Sequence, residues 1–384
     1  MNKILSLLTT IFFLSGGCGT DAFKNSKIKY NSHKSNEISI GVAYPVYSEG
    51  AQNSSFSKGI EFAVNTINKN GGVLNKRFNA VIRDDMDNAN TAMQIAQTFS
   101  DQGIGAVVGH WSTNVSYYTQ DIYEKNKVVM LTPLSTGLIL FEERFDYVFR
   151  MIGNNQVFAH AIASHMAQKG HKNAAIYYSD DEFGVDFAKI MEKELNGQGI
   201  RVIDRLTNIT PLNINNILNR WNAFDCDGLV MTASYPTYVE SIKTLRSSGF
   251  HPPVFGGDTF EELSPQDLPH GYFDNLYIAI MNLEYLDTGF KESFRSHYNH
   301  DPNATAIIGY EAVMLLKDAM EAVKNTDGTA IAQYLSNLKD YKTVSATRTY
   351  NPKTQEFDGF NAHVLPLKPI IFHDKQTRES KTDG

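Results

Sequence analysis

The chain has 384 residues, of which 42% are hydrophobic and 20% are charged. This composition is typical of a soluble globular protein, and the length allows two domains that each bury a core. The formal net charge is −7 at pH 7, and the sequence contains no run of lysine or arginine. A surface that binds nucleic acid is normally basic, so this charge balance argues against a nucleic-acid partner.

The N-terminal residues have the pattern of an export signal. Lys3 is followed by an apolar run over residues 4–14 and by small residues that end at Cys18. The run is too short to span a bilayer, so residues 1–18 are predicted to be a secretory signal. Cys18 resembles the lipidated cysteine of bacterial lipoproteins, although Ser15 stands where that signal usually has leucine. We expect export to the periplasm or cell envelope, with a lipid on Cys18 as the membrane anchor; plain cleavage of the signal is the alternative.

Polar segments flank the expected folded body. Residues 19–36 lack hydrophobic periodicity, which predicts a flexible tether, and residues 376–384 are expected to form a disordered tail. The only cysteines are Cys18 and Cys226, so no structural disulfide remains once Cys18 is lipidated or removed. We therefore expect the hydrophobic core alone to stabilise the fold.

From residue 37 onward, strand and helix patterns alternate. A strand with alternating apolar residues begins at Ile38, and apolar residues at Ile60, Ala63, Val64 and Ile67 predict a helix. Further strands are predicted over 79–82, 106–109, 127–131, 173–178, 227–232 and 253–258, and further helices over 90–101, 159–170, 185–199, 214–224 and 238–249. Such alternation is typical of an α/β fold with parallel sheets, and the two series predict two lobes.

Polar residues follow most of the predicted strands. In open parallel sheets, ligands bind beyond the carboxyl ends of the strands. Several of these segments precede helices, whose free N–H groups and positive dipole end favour an anion. Thr113 and Thr136 are placed to add hydroxyl groups around a carboxylate, although helix N-capping alone also explains such residues.

Eight segments in order resemble the leucine/isoleucine/valine-binding protein family, the branched-chain amino-acid type of solute receptors of ABC transporters. They are GIEFAVNTINKNGG (59–72), IRDDMDNANTAMQIAQ (82–97), GIGAVVGHWST (103–113), MLTPLST (130–136), YSDDEFGVDFAK (178–189), SYP (234–236), FGGD (255–258) and YNPKTQEFDGFNAHVL (350–365). The resemblance covers about residues 38–372 and implies the periplasmic binding protein type I fold, with two Rossmann-like lobes and a three-segment hinge. It implies a first lobe of residues 37–153 plus 286–348 and a second of residues 154–285 plus 349–375.

The resemblance also implies a ligand site between the lobes. Its residues would be Gln52, Trp111, Ser112, Thr113, Leu134, Ser135, Thr136, Phe183, Tyr235 and Asp258. Thr113 and Thr136 would hold the α-carboxylate of an amino acid, helped by backbone groups around Trp111 and Ser135. Asp258, together with Tyr235, would hold the α-ammonium from the second lobe. Hydroxyls suit a carboxylate, and a carboxylate beside an aromatic face suits a cation.

The chain departs from the family pattern at four of these positions. Trp111 stands where a smaller aliphatic residue is usual, Phe183 where a tyrosine is common, and Gln52 where an aromatic residue is common. Asp258 is one methylene shorter than the usual glutamate. The departures alter the expected side-chain pocket, so a polar or smaller amino acid is an alternative to leucine. Urea, short amides and aromatic acids, which some similar proteins bind, remain alternatives.

The sequence contains no recognised motif for metal binding, catalysis or dinucleotide binding. His110 stands alone, residues 84–90 lack the glycine and distal glutamate of a calcium loop, and neither a G-x-S-x-G motif nor a G-x-G-x-x-G motif after the first strand occurs. We therefore expect no metal, no cofactor and no enzymatic activity. The expected function is a monomeric receptor that delivers an amino acid or similar small zwitterion to an ABC permease. A receptor subunit of a signalling system is the alternative.

Overall fold

The structure is a computed structural model that describes residues 36–367. The predicted signal with Cys18, nearly all of the predicted tether, and the predicted tail over residues 376–384 lie outside the described residues. Residues 36–367 belong to one compact unit. Two large sheets organise this unit.

The first sheet is parallel throughout. Its strands are β1 (Glu37–Tyr44), β2 (Arg77–Asp84), β3 (Ala106–Val108), β4 (Val129–Thr132) and β5 (Val148–Arg150). They are ordered β2-β1-β3-β4-β5. Every residue of β3 and β4 is buried, as expected for strands that are covered on both faces.

The second sheet repeats this order. Its first five strands are β6 (Asn173–Tyr178), β7 (Arg201–Leu206), β8 (Gly228–Thr232), β9 (Val254–Gly256) and β10 (Leu276–Met281). They are parallel and ordered β7-β6-β8-β9-β10. Two hairpins follow, β11 (Tyr341–Lys342) with β12 (Thr347–Arg348) and β13 (Tyr350–Asn351) with β14 (Glu356–Phe357). Strand β15 (Ala362–Pro366) then joins β10 in the antiparallel direction.

Helices cover both sheets. Within the described part of the chain they are α1 (Glu49–Asn53), α2 (Phe56–Lys69), α3 (Ala89–Asp101), α4 (Thr113–Asn126), α5 (Asn155–Gln168), α6 (Glu182–Gly197), α7 (Ile214–Ala223), α8 (Thr237–Ser247), α9 (Thr288–Tyr298), α10 (Ala304–Val323) and α11 (Gly328–Ser336). Helix α2 packs on α10, and α5 packs on α6 and the second sheet. The predicted stripe of α2 buries Ile60, Ala63 and Ile67, whereas Val64 is half-buried.

The chain passes between the two sheets at three places in the described range, residues 151–154, 282–287 and 358–361. The expected α/β fold with parallel sheets in two lobes is therefore confirmed. Hereafter the first lobe is the part around β1–β5, and the second lobe is the part around β6–β10 and β15.

One expected lobe boundary differs from the structure. The sequence placed residues 349–375 in the second lobe, but the hairpin β13–β14 packs on β5 of the first sheet. The ring of Phe149 in β5 lies 5.5 Å from that of Tyr350 and 6.3 Å from that of Phe357. These aromatic contacts keep the hairpin on the first lobe, so the boundary expected at residue 349 is too early.

Both sheets change strand order beside their first strand, between β1 and β3 and between β6 and β8. At such a point the loops at the carboxyl ends of neighbouring strands run in opposite directions and leave a crevice. The segments that follow these strands are therefore where the fold favours a site.

Candidate ligand-binding cleft

A cavity of about 180 Å³ lies between the two lobes, where the carboxyl ends of both sheets meet. Its lining follows β1, β3 and β4 on the first lobe and β6, β8 and β9 on the second. Eight of the ten predicted site residues line it: Trp111, Ser112, Thr113, Leu134, Thr136, Phe183, Tyr235 and Asp258. The crevices at the two places where strand order changes, one in each sheet, thus open into one shared cleft.

Aromatic rings form part of the cavity wall. Trp111 is 9% exposed, stacks on Tyr44 with ring centroids 6.2 Å apart, and meets the edge of Phe56 at 5.3 Å. Phe183, on the other lobe, packs against Phe187 at 5.7 Å. Because both rings are held by the core behind them, they present fixed apolar surfaces to the cavity.

The N-terminus of α4 reaches the cavity on the first lobe. Ser112 is the N-cap of this 14-residue helix and accepts a hydrogen bond from the N–H of Val115. Thr113 Oγ1 accepts a hydrogen bond of 3.0 Å from the N–H of Gly137, next to Thr136. A hydroxyl also carries a proton, so Thr113 keeps a donor for another acceptor. Together with the positive end of the helix dipole, this side of the cavity favours an anion.

Ser135 lies beneath the cleft and does not line it. Its hydroxyl is 2.7 Å from those of Ser116 and Thr132, and it also contacts the backbone oxygens of His110 and Trp111. The side chain is fully buried within this hydroxyl cluster. The Ser135 hydroxyl therefore fixes the loop that carries Thr136, and the expected contribution of backbone groups around Ser135 stays a prediction.

Gln52 also lies outside the cavity. It is exposed on α1, whereas Glu49 and Gly50 of the same short helix line the cavity. The cavity meets the first residues of α1, whereas the Gln52 side chain is turned to solvent. The expected contact at Gln52 is thus replaced by contacts at Glu49 and Gly50.

Asp258 projects from the second lobe in a 3₁₀ turn, Asp258–Glu262, that follows β9. Its Oδ1 atom is buried and has no hydrogen-bond partner. Burial raises the pKa of this carboxyl group to about 7, against the effect of hydrogen bonds from its own N–H and that of Thr259. A buried carboxylate without a cation is unstable relative to its protonated form, so the site favours the arrival of a positive charge.

Four further carboxylates that line the cavity were not predicted from the sequence. They are Glu49, Asp87, Glu261 and Glu262. Burial is the main cause that raises the pKa of Glu261 to about 7 and the pKa of Glu262 well above its usual value. The two glutamates follow Asp258 closely in sequence, and this proximity could have indicated that they also belong to the site. Asp87 receives a hydrogen bond from Ser112.

A second helix N-terminus, that of α10, was also missed. Asn303 caps α10 by accepting a hydrogen bond of 3.0 Å from the N–H of Ala306, and Asn303, Ala304 and Thr305 line the cavity. Glu261 accepts a hydrogen bond from the N–H of Ala304. A carboxylate of the second lobe therefore engages the positive end of a first-lobe helix.

Other hydrogen bonds also join the lobes around the cavity. The Tyr118 hydroxyl donates to Glu182 at 2.6 Å, and the N–H of Leu138 donates to Asp186 at 2.9 Å. The first residue of each pair belongs to the first lobe and the second to α6. These bonds hold the two lobes closed over the cavity.

The described residues contain no group of three or more histidine, cysteine, aspartate or glutamate side chains placed to hold a metal ion. His110 is fully buried, with Nδ1 2.6 Å from Asp85 and Nε2 3.1 Å from the hydroxyl of Tyr123. Both ring nitrogens are engaged inside the first lobe, so His110 supports the loop before Trp111 and does not reach the cavity.

Two parallel α/β lobes that enclose a cavity at their strand ends are the arrangement of a two-lobed solute-binding protein. The chain belongs to the periplasmic binding protein family, whose model matches residues 37–360. This confirms the family resemblance that the sequence motifs carry.

No helix among residues 36–367 is long and apolar enough to cross a membrane.

Relatives and solved structures agree with this assignment. The chain is 24% identical over 325 residues to Leu/Ile/Val-binding protein homolog 3 of Brucella melitensis. This alignment covers 82% of this chain and 87% of that protein. An ABC transporter substrate-binding protein of Desulfitobacterium hafniense in complex with Leu is 30% identical, with a TM-score of 0.77 over 86% of this chain and 98% of that chain. The branched-chain amino acid binding protein LivJ of Streptococcus pneumoniae, in complex with isoleucine, is 19% identical, with a TM-score of 0.74 over 86% of this chain and 100% of that one.

Proposed function

We propose that this protein is the exported solute receptor of an ABC transporter, and that it binds an amino acid between its lobes and delivers it to a membrane permease. The relatives support this class of ligand, because the Brucella protein is named for leucine, isoleucine and valine and the Desulfitobacterium structure holds leucine. The chemistry of the cleft gives independent support, since anion-binding groups and a buried carboxylate line the same cavity from opposite lobes.

The Asp258 carboxylate is the observation that carries the proposal. Its Oδ1 atom is buried without a partner at the wall of the cavity. An α-ammonium supplies both a positive charge and three hydrogen-bond donors, which is what a desolvated carboxylate requires. The ring of Tyr235 lines the same cavity and adds an aromatic surface suited to a cation.

The α-carboxylate of the ligand would lie on the first lobe. Thr113 and Thr136 bring hydroxyl groups to the cavity, and the N-terminus of α4 adds the positive end of a helix dipole. A ligand of one amino acid then spans the cleft, with its anionic end on the first lobe and its cationic end on Asp258.

A ligand held in this way couples its binding to closure of the two lobes. A ligand that contacts both lobes binds the closed arrangement better than an open one, so it shifts the population towards closure by its differential affinity. The bonds from Tyr118 to Glu182 and from Leu138 to Asp186 form only when the lobes meet. A permease that recognises the closed surface would then receive loaded receptors, and the ligand would be released intact.

The N-terminal sequence supports an extracytoplasmic location. An export signal over residues 1–18 would place the folded body outside the cytoplasm, and a lipid on Cys18 would anchor it through the polar tether. A single chain contains both halves of the cleft, so we propose that the protein acts as a monomer.

Thermal unfolding with a ligand panel tests the proposal. The panel contains the proteinogenic amino acids, urea, short amides and aromatic acids. A ligand at about 100 times its Kd adds roughly 2.7 kcal/mol of apparent stability. We expect at least one amino acid to stabilise the protein and to be recovered unchanged afterwards. Stabilisation by urea or an aromatic acid, with none by any amino acid, would contradict the proposal.

A further inference from the structure

One carboxylate oxygen of the second lobe accepts two hydrogen bonds near the cavity. Oδ2 of Asp186, in α6, accepts from the N–H of Leu138 at 2.9 Å and from the side-chain amide of Asn155 at 2.7 Å. Leu138 belongs to the first lobe, whereas Asn155 is the fully buried first residue of α5 on the second lobe. A single oxygen atom therefore joins the two lobes close to the crossover at residues 151–154.

Leu138 ends the loop that carries Thr136 into the cavity. Within the first lobe, the backbone oxygen of Gly137 accepts a hydrogen bond of 2.9 Å from Arg150. The N–H of Leu138 is the next donor along this backbone, and its acceptor comes from the other lobe. Asp186 thus completes, from the second lobe, the support of a loop that lines the cavity on the first lobe.

Asn155 connects Asp186 to the same loop by a second route. Its N–H donates a hydrogen bond of 2.7 Å to the backbone oxygen of Thr136, while its side chain donates to Asp186. The backbone from Thr136 to Leu138, together with Asn155 and Asp186, therefore forms one closed ring of bonds. Because Asn155 orients the Asp186 carboxylate, little conformational freedom is left to lose when that carboxylate meets Leu138.

The charge of Asp186 acts on the same part of the first lobe. Arg150, which supports Gly137, is fully buried, and burial lowers the pKa of its guanidinium group. The negative charges of Glu356 and Asp186 oppose this effect. A hydrogen bond to a charged group is stronger than one between neutral groups, so the bond from Leu138 gains strength from the charge of Asp186.

We infer that Asp186 is a positioning residue for the carboxylate end of the ligand: when the lobes close, it fixes the loop of Thr136 from the opposite lobe. The inference rests on the proposed function, because it takes Thr113 and Thr136 as the site of the α-carboxylate. Asp186 is not among the described residues that line the cavity, so it acts on the ligand through this loop. A ligand with a carboxylate should therefore gain more from Asp186 than a ligand with a neutral group in its place.

Isothermal titration with matched ligands tests the inference. The probes are the proteinogenic L-amino acids and their primary amides, which keep the α-ammonium and replace the carboxylate. For the amino acid that binds wild type most tightly, Asp186→Ala should lower affinity about tenfold or more, while affinity for its amide stays within about threefold. An equal or larger loss for the amide would overturn the inference and leave the proposed function standing. Binding of no amino acid by wild type would overturn both.

Further variants separate the loop contact from net charge and folding. Loss of a negative charge alone would weaken a cationic amide more than a zwitterion, which is the opposite change. Asp186→Asn keeps an oxygen for both donors, so its affinity for the amino acid should lie closer to that of wild type than to that of Asp186→Ala. Asp101→Ala is the matched control and should bind like wild type, because Asp101 is exposed at the end of α3 and bonds to Gln97 of the same helix. Affinity in Asp186→Asn as low as in Asp186→Ala, or the same loss in Asp101→Ala, would overturn the role of Asp186.

Discussion

The backbone N–H of Phe183 donates a hydrogen bond of 3.0 Å to Oδ1 of Asn114. Phe183 lies in the first turn of α6 on the second lobe, and Asn114 lies in the first turn of α4 on the first lobe. Each residue is next to the cavity, so this bond joins the lobes at the proposed ligand. The N–H groups in the first turn of a helix have no partner within the helix, so the N–H of Phe183 in α6 is available to donate to Asn114.

Substitutions of Asn114 should change ligand affinity through closure. Asn114→Ala removes the acceptor, and a net hydrogen bond is worth roughly 0.5–1.5 kcal/mol, so we expect affinity to fall by about two- to tenfold. Asn114→Asp keeps the acceptor for the N–H of Phe183, but its negative charge lies next to Thr113, where the ligand carboxylate is placed, so it should also bind less tightly than wild type.

Isothermal titration compares these variants. Asn126→Ala, at the other end of α4, is the control, because its side chain bonds only to Ile122 of the same helix. Unchanged affinity in Asn114→Ala would show that this bond does not contribute to closure.

Asp258→Asn should nearly abolish binding. The variant keeps the size of the side chain but removes the charge that opposes the ammonium group in a desolvated site. Removing one partner of such a pair costs about 2–5 kcal/mol, which is a loss of roughly 30-fold or more. Titration with the ligand found in the screen measures the loss, and a variant that binds like wild type would rule out Asp258 as the ammonium partner.

Much of the fold was accessible from the sequence because its strands are apolar and its helices amphipathic. The strand predicted over residues 173–178 is β6, with the same bounds. Of helix α4 only the start was expected and not the extent, because it buries Thr119 and Gln120 among its polar residues and lacks a strong apolar stripe. Strand β7 was missed for a similar reason, since its sequence RVIDRL alternates around charged residues and is largely half-buried.

The cleft was predicted in part. Motif resemblance identified the residues that follow the strands, and eight of those ten residues line the cavity. The start of α10 escaped detection because tertiary packing on α2 brings it to the cleft from a distant part of the chain. Glu261 and Glu262 were visible after Asp258, but an acidic pair is ordinarily a solvated surface, and only the structure shows them turned into the cavity.

The ligand-free protein should lose stability from these groups as pH rises. The pKa values of Asp258 and Glu261 are raised to about 7 in the folded state, from 3.8 and 4.5. Between those values the folded state holds protons that the unfolded state has released, so the free energy of unfolding falls from about pH 4 to about pH 7. Glu262 and the buried Tyr238 face the same groups, and their pKa values are also raised.

Chemical denaturation at pH 5 and pH 8 measures this effect. Asp258→Asn should lose less stability between the two pH values than wild type does, because its side chain does not ionise. Ligand should stabilise wild type more at pH 8 than at pH 5, since an ammonium group favours the ionised carboxylate. An identical pH dependence in wild type and Asp258→Asn would contradict the buried, raised carboxyl group.

Arg150 should be a positioning residue for Thr136. It is fully buried at the end of β5 and donates to the backbone oxygens of Ser135 at 3.1 Å and Gly137 at 2.9 Å, on either side of Thr136. It also pairs with Glu356 at 2.7 Å. Arg150→Met removes all three contacts and leaves Glu356 without its cation. Breaking a buried pair costs about 3–5 kcal/mol, and we expect about 3 kcal/mol because Glu356 retains some exposure to solvent.

Two measurements separate the roles of Arg150. Denaturation gives the loss of stability, and Arg150→Met combined with Glu356→Gln should recover part of it, because no unpaired charge is left. Ligand affinity should remain reduced in the double variant, since the oxygens on either side of Thr136 still lack their donor. Arg144→Met is the control, because the Arg144–Asp146 pair is exposed and should change stability by less than about 0.5 kcal/mol. Full recovery of affinity in the double variant would show that Arg150 stabilises the hairpin β13–β14 without positioning Thr136.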